Sequence, residues 1–254
     1  MTTTDLDVDG RECLSFTVEG PWAHFRRVDT TTEKLTYRVM PRTTVAGLVA
    51  AILGEPRDSY YDTFARDASA IAISPQCTLE TQSIPQLTLP TTAGDIQTAD
   101  GVSGKTVVDP EVIATERKRR TFEYIVDAAY RVDLVLDDKE TTDRLWEYLD
   151  TGRTTYTPFL GKSECLANVT NVSRTTVEAG GDTESITSTV PEEYAVPMPG
   201  QPLRMERTPA YMQADETGRE TTGFVSYAFA PDDETLEAPD APVATVENRT
   251  VCFL

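Results

Sequence analysis

The sequence predicts an α+β fold in which strands and helices follow the order strand, helix, strand, strand, helix, strand. Two observations carry this prediction. Apolar and polar residues alternate over residues 12–18 and 121–136, as in strands with one buried face. Over residues 43–53 and 137–152 the apolar residues instead recur with helical spacing. The 254 residues suffice for one large domain, or for a domain with a smaller appendage.

The first strand is predicted over residues 12–18 and is expected to end at Gly20 and Pro21, which interrupt strands. The first helix is predicted over residues 43–53, with Thr43 or Thr44 as its cap and a stop at Gly54. Gly47 lies inside this helix, where glycine costs about 1 kcal/mol relative to alanine. We therefore expect another backbone or a ligand to approach closely there.

The middle of the chain supplies the remaining elements of the main domain. Residues 58–67 predict a short helix, and residues 69–74 and 77–89 predict the next two strands. Residues 91–111 are rich in Thr, Gly and Asp and predict a long, mobile polar insertion. Strand 121–136 is followed by a helix that Asp137 caps, with Glu140 three residues later. A last strand is predicted over residues 165–172.

This order is the βαββαβ order of a ferredoxin-like or RRM-like domain with an insertion between its second and third strands. The rest of the chain is acidic and poor in helix signals, with short strands predicted at 193–196, 223–229 and 243–251 and a disordered loop at 178–193. We therefore predict an RRM-like domain over residues 1–175, with its insertion at about 80–120. A small β-rich C-terminal appendage follows over residues 176–254.

The charge of the chain is strongly negative, at −19. Such a charge normally argues against a nucleic-acid partner, because phosphate contacts need cations. However, 18 of the 23 basic residues are Arg, and carboxylates are spread along the whole length. Proteins that stay soluble at very high salt have this pattern, so we interpret it as a halophilic signature. Local clusters of Arg then indicate partners better than the total charge does.

Several function classes lack their sequence signals. No 18-residue apolar run and no signal-peptide pattern is present, which predicts a cytoplasmic protein with no membrane partner. Four widely spaced Cys and one His predict neither a metal site nor a disulfide framework. The chain also lacks a Gly-rich phosphate loop ending in Lys-Ser or Lys-Thr, and we expect no cofactor.

Two cationic clusters interrupt the acidic background. Residues 20–47 carry five Arg or Lys against two acidic residues, and a run of four basic residues lies at 117–120, where the long strand begins. Arg donates bidentate hydrogen bonds to phosphate, a helix N-terminus attracts anions, and aromatic rings offer faces to unpaired bases. A solvated face that balances nearby carboxylates is the alternative interpretation.

A βαββαβ sheet would bring these two clusters together, which predicts binding of single-stranded RNA. The aromatic signature of a standard RRM is not recognisable, so we expect loops and insertions to carry the recognition. The predicted RNA-binding residues are Trp22, His24, Phe25, Arg26, Arg27, Arg38, Arg42, Arg117, Lys118, Arg119, Arg120 and Lys162.

Catalysis is the other hypothesis for the same residues. His24 is the single histidine of the chain, and a metal-independent ribonuclease could combine it with Tyr37 and Lys118. The alternative is that His24 stacks or hydrogen-bonds in a structural role.

Residues 20–26 and 37–54 resemble the N-terminal signature of CRISPR-associated protein five, a RAMP-superfamily subunit of the type I interference complex Cascade. Residues 156–164 (YTPFLGKSE) resemble a second block of that family. The resemblance implies an RRM-like fold with an inserted β-hairpin thumb. It also implies that the protein, here of haloarchaeal type, grips the 5′ handle of the CRISPR RNA. The backbone subunit and the large subunit would be its neighbours, and target DNA would be reached only through the complex.

One branch of that family cleaves precursor RNA with Tyr, Lys and His. Tyr37 and Lys118 match two of these positions, but Arg119 stands where that branch has its His. The resemblance therefore implies a non-catalytic subunit served by a separate processing enzyme. A metal-independent endoribonuclease and a purely structural bridging subunit remain the alternatives.

Overall fold

The computed structural model describes residues 4–30, 33–88, 96–98, 106–108, 117–197, 203–215, 218–231 and 234–254. Over these residues the fold is α+β, with mostly antiparallel sheets and two α-helices. The helices are α1 (Arg42–Leu53) and α2 (Lys139–Asp150). The strands are β1 (Glu12–Ala23), β2 (Phe25–Arg26), β3 (Thr36–Tyr37), β4 (Ser69–Pro75), β5 (Thr81–Thr88), β6 (Ile96–Thr98), β7 (Thr106–Val108), β8 (Lys118–Leu136), β9 (Asn168–Thr176), β10 (Glu178–Ala179), β11 (Val190–Pro191), β12 (Arg204–Asp215), β13 (Gly218–Phe229), β14 (Val243–Val246) and β15 (Arg249–Cys252).

Strand β8 organises the main sheet, which has five antiparallel strands. The strand order is β4, β8, β1 and β9, and β5 pairs with the first part of β8. The 19 residues of β8 pair with β1 from Leu134 to Ile125, and with β5 from Ile125 to Lys118. The part of β8 before Ile125 therefore lies beyond the part that pairs with β1, and it extends towards the segment that links β1 to α1.

The two faces of this sheet bury different parts of the chain. On one face, Phe16 and Val132 share a core cluster with Val45 and Val49 of α1. Because strand residues alternate between faces, the neighbouring positions point the other way. There Val135 packs with Val246 and Val251 of the β14–β15 hairpin. The C-terminal residues thus pack against the first part of the chain, and the two-part division near residue 175 remains a prediction.

A group of buried charges joins the β14–β15 hairpin to the sheet. Asp133 of β8 has no exposed surface, and its carboxylate accepts hydrogen bonds from the two Arg249 amino groups at 2.7 and 2.8 Å. The Ser15 hydroxyl donates a further bond to the same carboxylate at 2.5 Å. Nearby, Arg131 forms an ion pair with Glu247 at 3.3 Å. These cations are therefore neutralised within the chain.

Several predicted boundaries of the first strand and of the helices are corrected. Strand β1 continues through Gly20 and Pro21 to Ala23, because β9 pairs with β1 only as far as Glu19. The missing N–H of Pro21 therefore interrupts no ladder on that edge. Residues 58–67 form turns rather than a helix. Helix α1 begins after Pro41, which provides no side-chain cap.

Two further corrections concern α2 and Gly47. Asp138, not Asp137, caps α2, and its carboxylate accepts the backbone N–H groups of Glu140 and Thr141. At Gly47 the close backbone approach that we expected is absent among the described residues. An added Cβ would meet only the Tyr60 hydroxyl, at 3.5 Å.

The acidic C-terminal part is more ordered than its composition suggests. Residues 178–193 were expected to be disordered, but Ile186 and Val190 have no exposed surface, and Ile186 pairs with Leu236. These few buried apolar residues keep the segment packed against the fold, although its average apolar content is low. Residues 193–196 are not a strand, since a 3-10 turn occupies Glu192–Tyr194. Strand β12 was missed, because its alternation is broken by two register shifts.

The last predicted strand and the insertion also differ in extent. Strand β9 begins at Asn168, three residues later than expected. The predicted mobile insertion at 91–111 lies mostly outside the described residues, which include β6 and β7, paired from Ile96 with Val108 to Thr98 with Thr106.

Candidate nucleic-acid interface

The first basic segment is a small hairpin attached to the start of β8. After His24, strand β2 pairs with β3, and the Thr36 hydroxyl accepts the N–H of Phe25 at 2.9 Å. The backbone of Lys34 then continues the contact to β8, donating to Thr121 O and accepting from Glu123 N, both at 2.9 Å. These bonds bring the predicted basic corner and the predicted basic run together.

Alternation along β8 places Lys118, Arg120, Phe122 and Tyr124 on one face. The pKa of the Lys34 ammonium is lowered by desolvation and by the nearby positive charges of Arg26 and Arg120. Cations from the hairpin and from β8 are therefore close enough to repel one another. A cluster of like charges costs stability unless an external anion balances it.

The loop that contains Gly161 and Lys162 closes over the end of β1. Gly161 has a φ of 87°, and a Cβ there would overlap the carbonyl oxygen of His24, so both the conformation and the space require glycine. The His24 N–H donates to Leu160 O at 3.0 Å. The loop is therefore held by backbone contacts directly beside the single histidine.

Lys162 projects from this loop onto the aromatic side chains of β8. Its ammonium lies 4.2 Å from the Phe122 ring centroid and 3.0 Å from the Tyr124 hydroxyl oxygen. Gln86 of β5 contacts the same Tyr124 hydroxyl at 2.7 Å and Lys162 at 3.3 Å. The ammonium also forms an ion pair with Glu164 of its own loop at 3.3 Å, and the Glu164 side chain is 65% exposed. The arrangement is a cation held over two rings by Gln86 and by an exposed carboxylate.

These elements enclose a cavity of about 410 Å³, which we call the basic cleft. Its volume is within the range of about 300–1,000 Å³ that is typical of ligand sites. Although the chain has 42 acidic residues, no Asp or Glu is among the described residues that line it. The lining residues are His24, Phe25, Arg26, Tyr37, Pro41, Thr43, Thr44, Phe122, Gly161, Lys162 and Pro209.

Only one of the two ring nitrogens of His24 has a hydrogen-bond partner among the described residues. Its Nδ1 lies 2.7 Å from Glu123 O, whereas Nε2 is buried and has no hydrogen-bond partner among the residues that the structure covers. Burial lowers the pKa of the imidazole below its ordinary value, and the hydrogen bond to Glu123 opposes this only in part. The ring therefore stays neutral at neutral pH.

Comparison with known proteins identifies the family. A sequence model described as CRISPR-associated protein (Cas_Cas5) matches residues 13–231. The chain belongs to this family. The match includes all residues of the basic cleft and confirms the resemblance predicted from residues 20–26, 37–54 and 156–164.

Two solved structures resemble this family member in fold. A chain from a "CRISPR RNA-guided surveillance complex" is 14% identical with a TM-score of 0.53, covering 89% of this chain and 91% of that chain. A CRISPR protein from Archaeoglobus fulgidus is 12% identical with a TM-score of 0.54, covering 94% and 98%. Because these identities are low, the likeness shows the fold alone. No curated protein matches the sequence.

Two predicted RNA-binding residues of this family member pack into the core. Arg42 is 3% exposed and donates to Leu254 O, Phe64 O and Ser69, so its charged group serves the core. Phe25 is also buried, against Tyr130, and offers no free face to a base. We therefore leave both out of the proposed contact set.

Two further arginines have carboxylate partners. Arg38 forms an ion pair with Glu123 at 3.1 Å, and Arg27 forms one with Asp29 at 2.7 Å. The solvated, charge-balanced interpretation therefore describes these two residues better than phosphate binding does. The Arg26 side chain, by contrast, is exposed and has neither an ion pair nor a hydrogen bond to the described part of the chain.

The remaining predicted residues lie around the cleft or beside it. Arg117, Lys118 and Arg119 are exposed at the start of β8, next to β5. Trp22 is half-buried with its ring 6.0 Å from that of Tyr124. Of the hypothetical catalytic group, His24 and Tyr37 line the cleft, and Lys118 does not. Burial raises the pKa of the Tyr37 hydroxyl, which disfavours its ionised form.

Sequence reasoning missed Lys34, Gln86, Phe122 and Tyr124. The signal for the two aromatic residues was available, since Phe122 and Tyr124 alternate directly after the basic run, as residues on one strand face do. Lys34 belongs to the basic segment 20–47 but was not singled out, and Gln86 had no local signal, because only the pairing of β5 with β8 places it beside Lys162. Among the described residues, no group of three or more His, Cys, Asp or Glu could hold a metal ion, and no helix is long and apolar enough to cross a membrane.

Proposed function

We propose that this CRISPR-associated protein is a subunit of an RNA-guided CRISPR effector complex and that it binds single-stranded CRISPR RNA in the basic cleft. The observation that carries the proposal is a cleft with cationic and aromatic walls and no Asp or Glu among its described lining residues, in a chain of charge −19. Phosphates are attracted by the cations, and bases stack on rings such as Phe122. Membership of the family supports the assignment to a CRISPR complex.

The proposal includes the finer predictions made from the sequence. The fold is ferredoxin-like, which the sheet order β4, β8, β1, β9 and the connection order β1, α1, β4, β8, α2, β9 support. The paired strands β6 and β7, between β5 and β8, support an inserted hairpin. In the complex, a cytoplasmic assembly, the protein grips the 5′ handle of the RNA beside the backbone and large subunits. Target DNA is contacted only through the assembly.

A charge-matched pair of triple variants tests RNA binding. Arg26, Arg120 and Lys162 are changed together to Gln, and the control changes Arg57, Lys139 and Arg153 to Gln. These control side chains are 74%, 71% and 56% exposed and lie away from the cleft. Binding of the purified full chain to a single-stranded RNA carrying its CRISPR repeat is measured by fluorescence anisotropy.

We expect the cleft variant to lose about tenfold or more in affinity, and the control to change by about twofold or less. The slope of log affinity against log salt should also be shallower for the cleft variant. Equal losses in the two variants would contradict a localised RNA site. Unchanged binding in both, with failed assembly of the complex, would favour the structural bridging role.

We propose further that the subunit is not catalytic. A ribonuclease remains the second candidate, because His24 and Tyr37 share the cleft. Incubation of the purified chain with repeat RNA, without divalent metal ions, should leave the RNA intact. Cleavage that disappears in His24→Ala or Tyr37→Phe would overturn this part of the proposal.

A further inference from the structure

The hydrogen bond at Nδ1 determines the tautomer of His24. A backbone carbonyl oxygen can only accept a hydrogen bond, so the contact of 2.7 Å to Glu123 O requires the proton on Nδ1. In the neutral ring, Nε2 then carries a lone pair and acts as an acceptor. The acceptor role follows from the geometry of β8, which presents the Glu123 carbonyl to the ring.

The Nε2 acceptor is one of six buried side-chain polar atoms without a hydrogen-bond partner among the described residues, and of these six residues only His24 lines the basic cleft. The side chain is 2% exposed, and Nε2 has no partner in the part of the chain that the structure describes. A buried polar atom without a partner costs about 1–3 kcal/mol and requires an explanation. Because burial lowers the pKa of the imidazole, protonation of Nε2 does not relieve this cost at neutral pH.

The charged side chains that line the basic cleft are cations, and the hydroxyls of Tyr37, Thr43 and Thr44 can donate or accept hydrogen bonds. Arg26 and Lys162 are cationic, and the N-terminus of α1 carries no side-chain cap and no acidic residue in its first turn. The 12-residue helix therefore directs its positive dipole end towards the cleft, although the Thr44 and Val45 N–H groups already donate to Pro41 O. A ligand that fits this set offers an anion to the donors and one hydroxyl or amino donor to Nε2.

An RNA nucleotide has this combination. Its phosphate accepts from cations and helix N–H groups, and the adjacent 2′-hydroxyl can donate one hydrogen bond. DNA provides the same phosphate but lacks the hydroxyl, and would leave Nε2 unsatisfied after burial.

We propose that His24 Nε2 accepts a hydrogen bond from the 2′-hydroxyl of one RNA nucleotide bound in the basic cleft, and thereby selects RNA over DNA. This inference rests on the proposed function, since it assigns a role to one residue within the proposed RNA site. His24 is thus a specificity-determining residue rather than a base that takes part in cleavage.

Two substitutions test the roles of the two ring nitrogens separately. His24→Asn retains an amide donor near the position of Nδ1 and removes the acceptor at Nε2. His24→Gln places an amide oxygen near the position of Nε2 and loses the donor to Glu123. Thermal melts and circular dichroism establish that both variants are folded.

The measurement uses the full chain and single-stranded repeat RNA in which one nucleotide at a time is changed to 2′-deoxy or 2′-fluoro. The wild-type chain should lose about fivefold to tenfold in affinity at one position, the loss expected for one buried hydrogen bond. In His24→Asn this loss should disappear, and His24→Gln should restore part of it.

The outcomes distinguish this inference from the proposal on which it rests. If the wild-type chain binds RNA but no position responds to 2′-deoxy, the inference is wrong and the RNA site stands. The inference is equally wrong if His24→Asn keeps the full 2′-deoxy loss, or if it instead removes sensitivity to the loss of a base amino group, as with inosine for guanosine. If the wild-type chain binds no RNA, the proposed function fails and the inference fails with it.

Discussion

The two ends of strand β8 use the same residue types in opposite ways. At its end, Arg131 and Asp133 are buried and form ion pairs with Glu247 and Arg249 of the C-terminal hairpin. At its start, Lys118 and Arg120 lie beside a cleft with no Asp or Glu among its described lining residues. Charge that is buried and neutralised within the chain stabilises the fold, whereas cations at the rim of a cleft are accessible to an external anion. Burial and ion-pair partners, not residue type, therefore decide the role of a cation.

The largest effect is expected at the buried end, from Arg249→Met. This change leaves the Asp133 carboxylate without its cation and with no exposed surface. We expect the free energy of unfolding to fall by about 3–5 kcal/mol, measured by chemical denaturation. The double variant Asp133→Asn with Arg249→Met should recover part of this loss. A change below about 1 kcal/mol would show that the pair does not anchor the hairpin.

The next effect distinguishes two arginines that the sequence presents as equivalent. Arg42→Met removes hydrogen bonds to Leu254 O, Phe64 O and Ser69, and should lower the free energy of unfolding by about 3 kcal/mol. Arg26→Met should change that free energy by less than about 0.5 kcal/mol. Only Arg26→Met should weaken RNA binding while the protein is fully folded. Denaturation and anisotropy on the same samples test both statements.

A smaller effect concerns the pH dependence of stability at the cleft. Burial holds the folded-state pKa of His24 below the ordinary value of 6.5. Below pH 6.5 the unfolded chain therefore binds a proton that the folded chain does not, and stability falls as the pH decreases. Compared with wild type, His24→Asn should reduce this slope below pH 6.5 by up to about 1.4 kcal/mol per pH unit. If the free energy of unfolding varied with pH in the same way in wild type and His24→Asn, a buried neutral imidazole would be contradicted.

The smallest effect is expected from Arg27→Ala. Its ion pair with Asp29 lies at the surface, where both partners are partly exposed. Such pairs contribute about 0–1 kcal/mol and are screened by salt. The variant should therefore match wild type in RNA affinity within about twofold, and any stability difference should vanish at high salt. A loss of affinity equal to that of Arg26→Met would return Arg27 to the RNA-binding set.

Local patterns in the sequence predicted the main sheet and its helices well. Alternation over 121–136 corresponds to the second part of β8, and helical spacing over 43–53 corresponds to α1. Boundaries were less accurate, as at Pro21 and at the cap of α2, because they depend on which neighbouring strand or N–H group is present. The packed segment 178–193 was missed because Ile186 and Val190 are anchored by partners distant in sequence.

The sequence by itself determined the family, the basic corner and the basic run, because these depend on residues that are close together along the chain. Only the tertiary structure decided which cations are available. It buries Arg42, pairs Arg38 with Glu123, and holds the hairpin that contains Arg26 against β8 through the backbone hydrogen bonds of Lys34. It also determines that Nε2 of His24 is the acceptor, since this follows from a carbonyl group 99 residues away in sequence. Solvation and hydrogen bonding depend on neighbours in space, and such neighbours are not encoded in any local pattern.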